Sequence, residues 1–285
     1  MNKYPTPAAL LEDDTDLVSL PDIVIRLQEA VRDPKSTADT FADIIGNDPA
    51  LTARLLRLAN SPLYGYGGRI DTVSRAVTLV GLEPLYHLAL ATCAISTFRN
   101  IPATLIDMDE FWVQSTYCGV VARLLAREAG VLHPERLFVA GLLHGIGSLL
   151  IYLKCPDEAR EILLASQGKR SLIPLLEKDV LGFTYADVGA EIARRWNMPP
   201  WLQAAIGGHL QPEAVEEYQF ETGLLYLADR LTDVLIQGDA VEDILAEIPD
   251  GVMALIRLRE GQILEVMTEV YYEFSEVSGV LLSTT

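Results

Sequence analysis

The chain has 285 residues, half of them hydrophobic, and a formal net charge of −18. A chain of this length can bury a large core and form two compact lobes. The negative charge opposes binding to nucleic acid, because clustered Lys and Arg side chains supply most of the attraction for phosphates. We therefore expect no direct nucleic-acid partner.

The cysteines and the first residues indicate the cellular compartment of the protein. Cys93, Cys118 and Cys155 lie far apart without a Cys-x-x-Cys pair, which is typical of reduced, buried thiols in a cytosolic protein. Residues 1–16 contain prolines and an acidic run where a signal peptide needs a basic start and an apolar middle. We therefore expect a cytoplasmic protein.

Helix-forming residues fill long stretches and alternating, strand-like runs are scarce, which predicts an all-α fold. We divide the chain into four parts, with a seam between two helical lobes near Asn100 to Ala103. The parts are a flexible N-terminal tail (1–16), an N-terminal helical lobe (17–100), a second helical lobe (101–235) and a C-terminal helical extension (236–285).

Capping residues and prolines predict the helices of the N-terminal lobe. The first helix follows Pro21 and ends at Asp33, and Ser36 is the expected N-cap of the second. Asp48 and Pro49 begin a third helix, which ends at Asn60-Ser61-Pro62. An asparagine there tolerates the left-handed conformation and the proline cannot continue the helix. Helices from 71 or 72 to 81 and from 83 to 98 complete the lobe.

In the second lobe, Asp107 caps a helix that ends at Gly130. The apolar run 138–153 follows, with His144 in its middle, and it falls short of the roughly 20 residues that cross a membrane. We interpret it as a buried core helix and expect no membrane partner. His144 is then either a core histidine with one hydrogen-bond partner or a metal ligand.

One long segment resembles a known family. The run Asp48-Pro49-x-Leu51-x-x-Arg54-Leu55-Leu56-Arg57-Leu58-Ala59-Asn60-Ser61 is similar to the signature of HDOD domains, the HD-related output domains of bacterial signalling proteins. The resemblance covers roughly residues 17–233. It implies an N-terminal helical bundle joined to an HD-like helical lobe, and it marks Arg54, Arg57, Asn60 and Ser61 as candidate binding residues for an unknown partner.

The same resemblance indicates that a metal site has degenerated. Gly141 to Gly147 resembles the helix on which HD phosphohydrolases carry a His-Asp doublet, and Gly145 stands at the aspartate position. His144, His209 and Asp229 retain ligand-type residues, whereas Gln114, Gly145, Tyr185 and Leu210 replace them. A catalytic ion needs at least three converging protein ligands and an open position. We therefore expect no catalytic residue and no cofactor, with a weakly held divalent ion or a structural water left open.

Each retained residue also has a plain structural interpretation. His144 can hydrogen-bond a backbone carbonyl, and a charged His209 can sit at a helix C-terminus, where it suits the dipole. Asp229 can pair with Arg230 or with another basic side chain.

The C-terminal extension carries a long, broadly apolar segment after residues 249–251. Such a face must be covered. It either packs back onto the lobes or forms a homodimer or partner-binding surface.

Two function classes follow from the resemblance. The favoured one is a non-catalytic bacterial regulatory module that recognises signalling proteins, of unknown identity, through its lobes or the groove between them. The alternative is a metal-dependent phosphohydrolase acting on a nucleotide or a cyclic dinucleotide, against which the glycine at 145 is the main objection. A third possibility is a groove that binds a small ligand.

Overall fold

The computed structural model describes residues 4–12, 20–66, 68–98 and 105–282. These residues form helices and connecting turns, and no strand occurs among them, which confirms the all-α prediction. The seam expected near residues 100–103 and the tail boundary at residue 16 lie outside the described residues.

The helices of the N-terminal half are α1 (Pro7–Glu12), α2 (Asp22–Arg32), α3 (Ala38–Gly46), α4 (Pro49–Ala59), α5 (Val73–Val80) and α6 (Leu82–Phe98). The second half contains α7 (Met108–Glu128), α8 (Glu135–Leu143), α9 (Ile146–Lys154), α10 (Pro156–Ser166), α11 (Ile173–Leu181), α12 (Tyr185–Arg195), α13 (Pro200–Gly208) and α14 (Gln219–Gln237). Short 3₁₀ helices occur at Arg170–Leu172 and Pro212–Ala214. The chain then forms α15 (Val241–Glu247), α16 (Asp250–Ile256) and α17 (Glu260–Leu281).

Local capping chemistry begins several of these helices. The Asp48 carboxylate accepts hydrogen bonds from the backbone N–H groups of Ala50 and Leu51, at 3.0 and 2.9 Å, as predicted. The cap of α3 was predicted one residue too early. Thr37 rather than Ser36 caps it, because the backbone and side chain of Thr37 bond reciprocally with those of Thr40.

Residues 7–12 belong to the stretch that was expected to be a flexible tail, but they form α1. Leu10 and Leu11 are fully buried, and α1 packs against α12. Arg195 of α12 fixes the end of α1 by donating a hydrogen bond to the carbonyl of Leu11 at 2.9 Å. Two buried leucines and a charged donor therefore order this short helix.

Helix α7 lies at the centre of the second half, where it packs against α8, α14 and α17. Its crossing with α8 is close because glycines meet there. A Cβ atom on Gly141 would lie 2.6 Å from the Cα atom of Gly119. Any side chain at this crossing would push the two helices apart, so the glycines hold the end of α8 against α7.

The apolar run 138–153 was predicted as one core helix, but it is two. Helix α8 ends at Leu143 and α9 begins at Ile146, since Gly145 leaves the helical conformation with φ −90° and ψ 1°. By length and composition Glu135–Lys154 could cross a membrane, but 78% of its most apolar part is buried inside the protein. The run serves as core, and the break places His144 at the end of α8.

The side chain of Gln28 contacts both halves of the chain. The Nε2 atom of Gln28 donates to the carbonyls of Trp196 and Asn197, at 3.1 and 2.9 Å, and to the Tyr86 hydroxyl at 2.9 Å. Gln28 lies on α2, Tyr86 on α6 and Trp196 at the end of α12. These bonds fix α2 against both halves.

The apolar face of α17 packs against α7 and α4. The rings of Tyr117 and Phe274 stack with their centroids 3.6 Å apart. Arg123 of α7 forms a buried ion pair with Glu273 and donates to the carbonyl of Leu63 at 2.9 Å. The packing interpretation of the extension thus holds for the described residues. The homodimer remains a prediction.

The burial of the Arg123–Glu273 pair predicts a large loss of stability when Glu273 is neutralised. Glu273→Gln leaves a buried guanidinium without its counterion and should lower the free energy of unfolding by roughly 3 kcal/mol. Glu269→Gln is the matched control. Glu269 lies on α17, as Glu273 does, and pairs with Arg127 of α7, but the side chains of this pair are about half exposed. Its cost should stay below about 1 kcal/mol. Urea unfolding measures both variants, and equal costs would refute the argument.

Candidate functional site

A groove of about 1000 Å³ opens beside the end of α8. Apolar side chains, among them Phe111, Leu163, Ile173, Leu175 and Leu210, form part of its walls. Its polar lining includes Gln114, His144, Arg170, Tyr185, Asp229 and Asp233. The groove therefore brings together all four positions that the sequence singled out as altered, Gln114, Gly145, Tyr185 and Leu210, and two that it singled out as retained, His144 and Asp229.

His144 lies at the base of the groove and has two oxygen partners. Its Nδ1 atom is 2.6 Å from the carbonyl of Gly141, and its Nε2 atom is 3.2 Å from Oδ1 of Asp229. Burial alone would lower the pKa of His144, but Cys118 and Asp229 outweigh it and hold that pKa well above its usual value. Both ring nitrogens thus face an oxygen partner. The predicted bond to a backbone carbonyl is confirmed.

Asp229 pairs with a basic side chain distant in sequence. Of the two partners expected for it, Arg230 or another basic residue, the structure shows the second: Nη2 of Arg170 lies 2.9 Å from Oδ1 of Asp229. Burial would raise the pKa of Asp229, but Arg170 and His144 hold it far below its usual value. Arg230 instead contacts Glu247 at 2.7 Å and Asp233 at 3.3 Å, since consecutive helical side chains point in different directions.

Arg170 was not predicted from the sequence, yet it makes more polar contacts than any of the other side chains described here at this site. It stands on the 3₁₀ turn between α10 and α11. Nη1 of its guanidinium lies 2.6 Å from Oδ1 of Asp233, and the Gln114 amide, oriented with its oxygen toward Arg170, accepts from Nε at 2.6 Å. Together with the bond to Asp229, all three nitrogens of the guanidinium have oxygen partners.

His209 is a neutral histidine. It lies at the C-terminal end of α13, as the structural interpretation allowed, and its surroundings disfavour the charged form. Burial and the neighbouring His144 lower the pKa of His209 to about 4. Its Nδ1 atom is 2.8 Å from the carbonyl of Ile206 and its Nε2 atom is 3.1 Å from the hydroxyl of Tyr185. The phenol therefore donates to Nε2, while Nδ1 donates to the carbonyl.

Gly145, at the position of the missing aspartate, lies beneath an aromatic ring. A Cβ atom built on it would be 3.4 Å from the ring of Phe111, which is ordinary contact distance. The backbone at φ −90° accepts any L-residue. Glycine is therefore not required by the fold here, and the ring covers the place from which a carboxylate would leave the backbone.

The residues present do not fit a catalytic divalent ion. Among the described residues, the donor atoms of Cys118, His144 and Asp229 lie within 4.8 Å of one another. However, both ring nitrogens of His144 already face oxygen atoms, of Gly141 and Asp229, and Asp229 also accepts from Arg170. Gly145 adds no ligand, and the Gln114 oxygen faces Arg170. The guanidinium of Arg170 thus supplies positive charge at this site.

The four candidate signature residues do not line the groove. The Asn60 amide accepts from the backbone N–H of Ile70 and donates to the carbonyl of Ile70, both at 2.7 Å. Its φ of −91° is right-handed, so Asn60 does not use the left-handed conformation that asparagine tolerates at a helix end. Ser61 donates to the carbonyl of Leu58 at 2.7 Å, and Arg54 donates to Ser96 at 3.2 Å. Arg57 is exposed. Asn60 and Ser61 thus shape the loop after α4, and a binding role remains a prediction.

Comparison with known proteins places this architecture. The sequence model of the HDOD domain family matches residues 17–212. A crystal structure of an HDOD domain protein from Geobacter sulfurreducens is 25% identical, with a TM-score of 0.74 over 92% of each chain. A Shewanella amazonensis SB2B protein, provisionally described as a phosphohydrolase, is 28% identical, with a TM-score of 0.75 over 96% of this chain and 98% of its own.

A curated relative is longer than this chain. An uncharacterised protein of Treponema pallidum (strain Nichols) is 27% identical over 259 residues. The match takes in 90% of this chain and 49% of that protein, so the chain spans about half the length of its relative.

A buried carboxylate beside the site predicts a pH dependence of stability. Glu177 accepts a hydrogen bond from the backbone N–H of Tyr185 at 2.7 Å, and burial raises its pKa to about 8. The folded chain therefore holds this proton more tightly than the unfolded chain does. The protonated Glu177 side chain therefore contributes to the free energy of unfolding. This contribution is fully present below the ordinary carboxyl pKa and is lost as the pH rises through about 8.

Glu177→Gln removes that titration, so the variant should exceed the wild type in unfolding free energy by about 2–4 kcal/mol near pH 8, with a smaller difference near pH 5. Exposed Asp179 lies on the same helix, and Asp179→Asn is the matched control. Urea unfolding at both pH values measures the change. A difference that does not grow with pH would contradict the assignment of a raised pKa to Glu177.

Proposed function

The chain belongs to the HDOD domain family, and we propose that it serves there as a non-catalytic signal-transduction module that acts by binding another protein. We further propose that it works in the bacterial cytoplasm, that its partners are signalling proteins, and that it needs no cofactor. It acts by presenting a surface, and it makes or breaks no covalent bond.

The contacts of Arg170 carry this proposal. A metal-dependent hydrolase needs carboxylates and imidazoles that are free to hold an ion and an activated water. In this chain the guanidinium of Arg170 binds Asp229 and Asp233 together. Their negative charge is therefore already balanced by a side chain, and this argues for a site that contributes structure.

The hairpin formed by α10 and α11 offers a surface for a partner. Leu164 is 74% exposed and Leu175 is 65% exposed, and Leu172 between them is also exposed. Leu175 stands on the groove as well. Large apolar side chains that remain exposed together mark interaction sites more often than scattered ones do. We propose that a partner protein contacts this hairpin.

The alternative function is phosphohydrolysis of a nucleotide or a cyclic dinucleotide. The provisional description of the Shewanella amazonensis relative favours it, as does the retention of His144, His209 and Asp229. A groove of about 1000 Å³ is also large enough for a small ligand that is not a substrate.

A turnover screen separates the two functions. The purified protein, supplied with manganese, iron or magnesium, should release no phosphate from nucleotides and should not open cyclic dinucleotides, because Gly145 supplies no carboxylate. The control is the His144→Ala variant, whose background should equal that of the wild type. Metal-dependent turnover that this variant loses would overturn the non-catalytic proposal.

Substitution of the hairpin leucines tests the partner surface. Leu164→Glu with Leu175→Glu should cause loss of a bound protein in quantitative affinity capture, because charge on an apolar contact surface disfavours its burial. The unfolding free energy should change by less than about 0.5 kcal/mol, since both positions are exposed. Leu132→Glu is the control, at a leucine that is 86% exposed and stands outside the hairpin. If the double variant retains every protein that the Leu132→Glu variant captures, the hairpin is not the surface.

A further inference from the structure

The groups around Arg170 form the kind of oxygen cluster that usually holds a cation. Two carboxylates and one amide oxygen converge on a single guanidinium: Asp229 at 2.9 Å from Nη2, Asp233 at 2.6 Å from Nη1, and Gln114 at 2.6 Å from Nε. Carboxylate and amide oxygens are the donors that hard divalent ions such as Mn²⁺ and Mg²⁺ prefer. The sequence therefore retains an oxygen donor set although it lacks the His-Asp doublet.

We propose that the Arg170 guanidinium is the resident cation of this cluster, standing where an ion would neutralise Asp229 and Asp233, and that the cluster binds a divalent cation when the guanidinium is removed. This inference does not rest on the proposed function, because it concerns what balances the charge and holds with or without a protein partner.

The position of the two carboxylates makes a cation necessary. Asp229 and Asp233 lie four residues apart on α14, so both side chains emerge on one face of that helix. Asp233 is buried and Asp229 is nearly so. Two carboxylates this close repel each other, and burying them without a counter-charge is costly. His144 balances part of the charge of Asp229, and Arg230 reaches Asp233 only at 3.3 Å.

Because the cation is a side chain of the protein, it also links parts of the structure. Arg170 comes from the turn between α10 and α11, and its guanidinium reaches α14 through the carboxylates and α7 through Gln114. A free ion would neutralise the carboxylates without holding this hairpin. The guanidinium does both, so the hairpin is held to α7 and α14 in a way that does not depend on the supply of metal.

Manganese binding by the Arg170→Gln variant tests the proposal. In equilibrium dialysis against about 0.1 mM MnCl₂, a range in which oxygen sites of modest charge bind, the variant should hold about one equivalent and the wild type almost none. The affinity of the variant should be at least about tenfold higher than that of the wild type, and its melting temperature should rise with added Mn²⁺. Arg230→Gln is the matched control, because it removes an arginine from Asp233 and leaves Asp229 and Arg170 paired.

Loss of the fold would not end the test. If Arg170→Gln is unfolded in metal-free buffer, Mn²⁺ should restore its helical circular dichroism, and the double variant Arg170→Gln, Asp229→Asn should show no such recovery. The proposal is overturned if Arg170→Gln binds Mn²⁺ no better than the Arg230→Gln control, if Asp229→Asn leaves that binding intact, or if the wild type itself holds one equivalent. None of these measurements involves turnover or a partner, so they leave the proposed function to its own tests.

Discussion

The contact of one guanidinium with two carboxylates determines how this site is built. Asp229 and Asp233 stand on one face of α14, which packs against α7, and Arg170 reaches them from the turn between α10 and α11. Arg170 makes the burial of these carboxylates tolerable, and its rigid, planar group suits several oxygens at once better than a lysine would. The raised pKa of His144 belongs to the same network, because Cys118 and the Asp229 carboxylate beside the ring favour its charged form.

Close packing of backbone brings the other parts of the site together. Gly141 meets Gly119 where α8 crosses α7, and Gly147 lies so near the carbonyl of Tyr185 that a Cβ atom would be 2.0 Å from it. The first contact places the end of α8 beside Cys118, and the second places α9 beside the start of α12. His144 stands between them, so the packing at these glycines and the contacts of its own ring together set its position.

Much of the fold was predictable because its signals are local. Asp48 and Asp107 accept bonds from backbone groups two and three residues away, and such spacing is visible in a sequence. The site was predictable only where the family resemblance extended, which gave His144, His209 and Asp229. Arg170 stayed hidden, since it is separated from Asp229 by 59 residues and lies in a turn without a recognisable pattern. The neutral state of His209 depends on its burial and on charged neighbours, which no local pattern reveals.

The arrangement separates the shape of an HD-like site from its chemistry. The helices that would surround an ion are present, and so are the groove beside α8 and the retained histidines, His144 and His209. What differs is the balance of charge: the carboxylates are neutralised by side chains of the chain itself, and Phe111 lies over Gly145. A chain whose internal charges are already satisfied keeps this shape without an ion. In the role that we propose, this shape presents a surface to a partner protein.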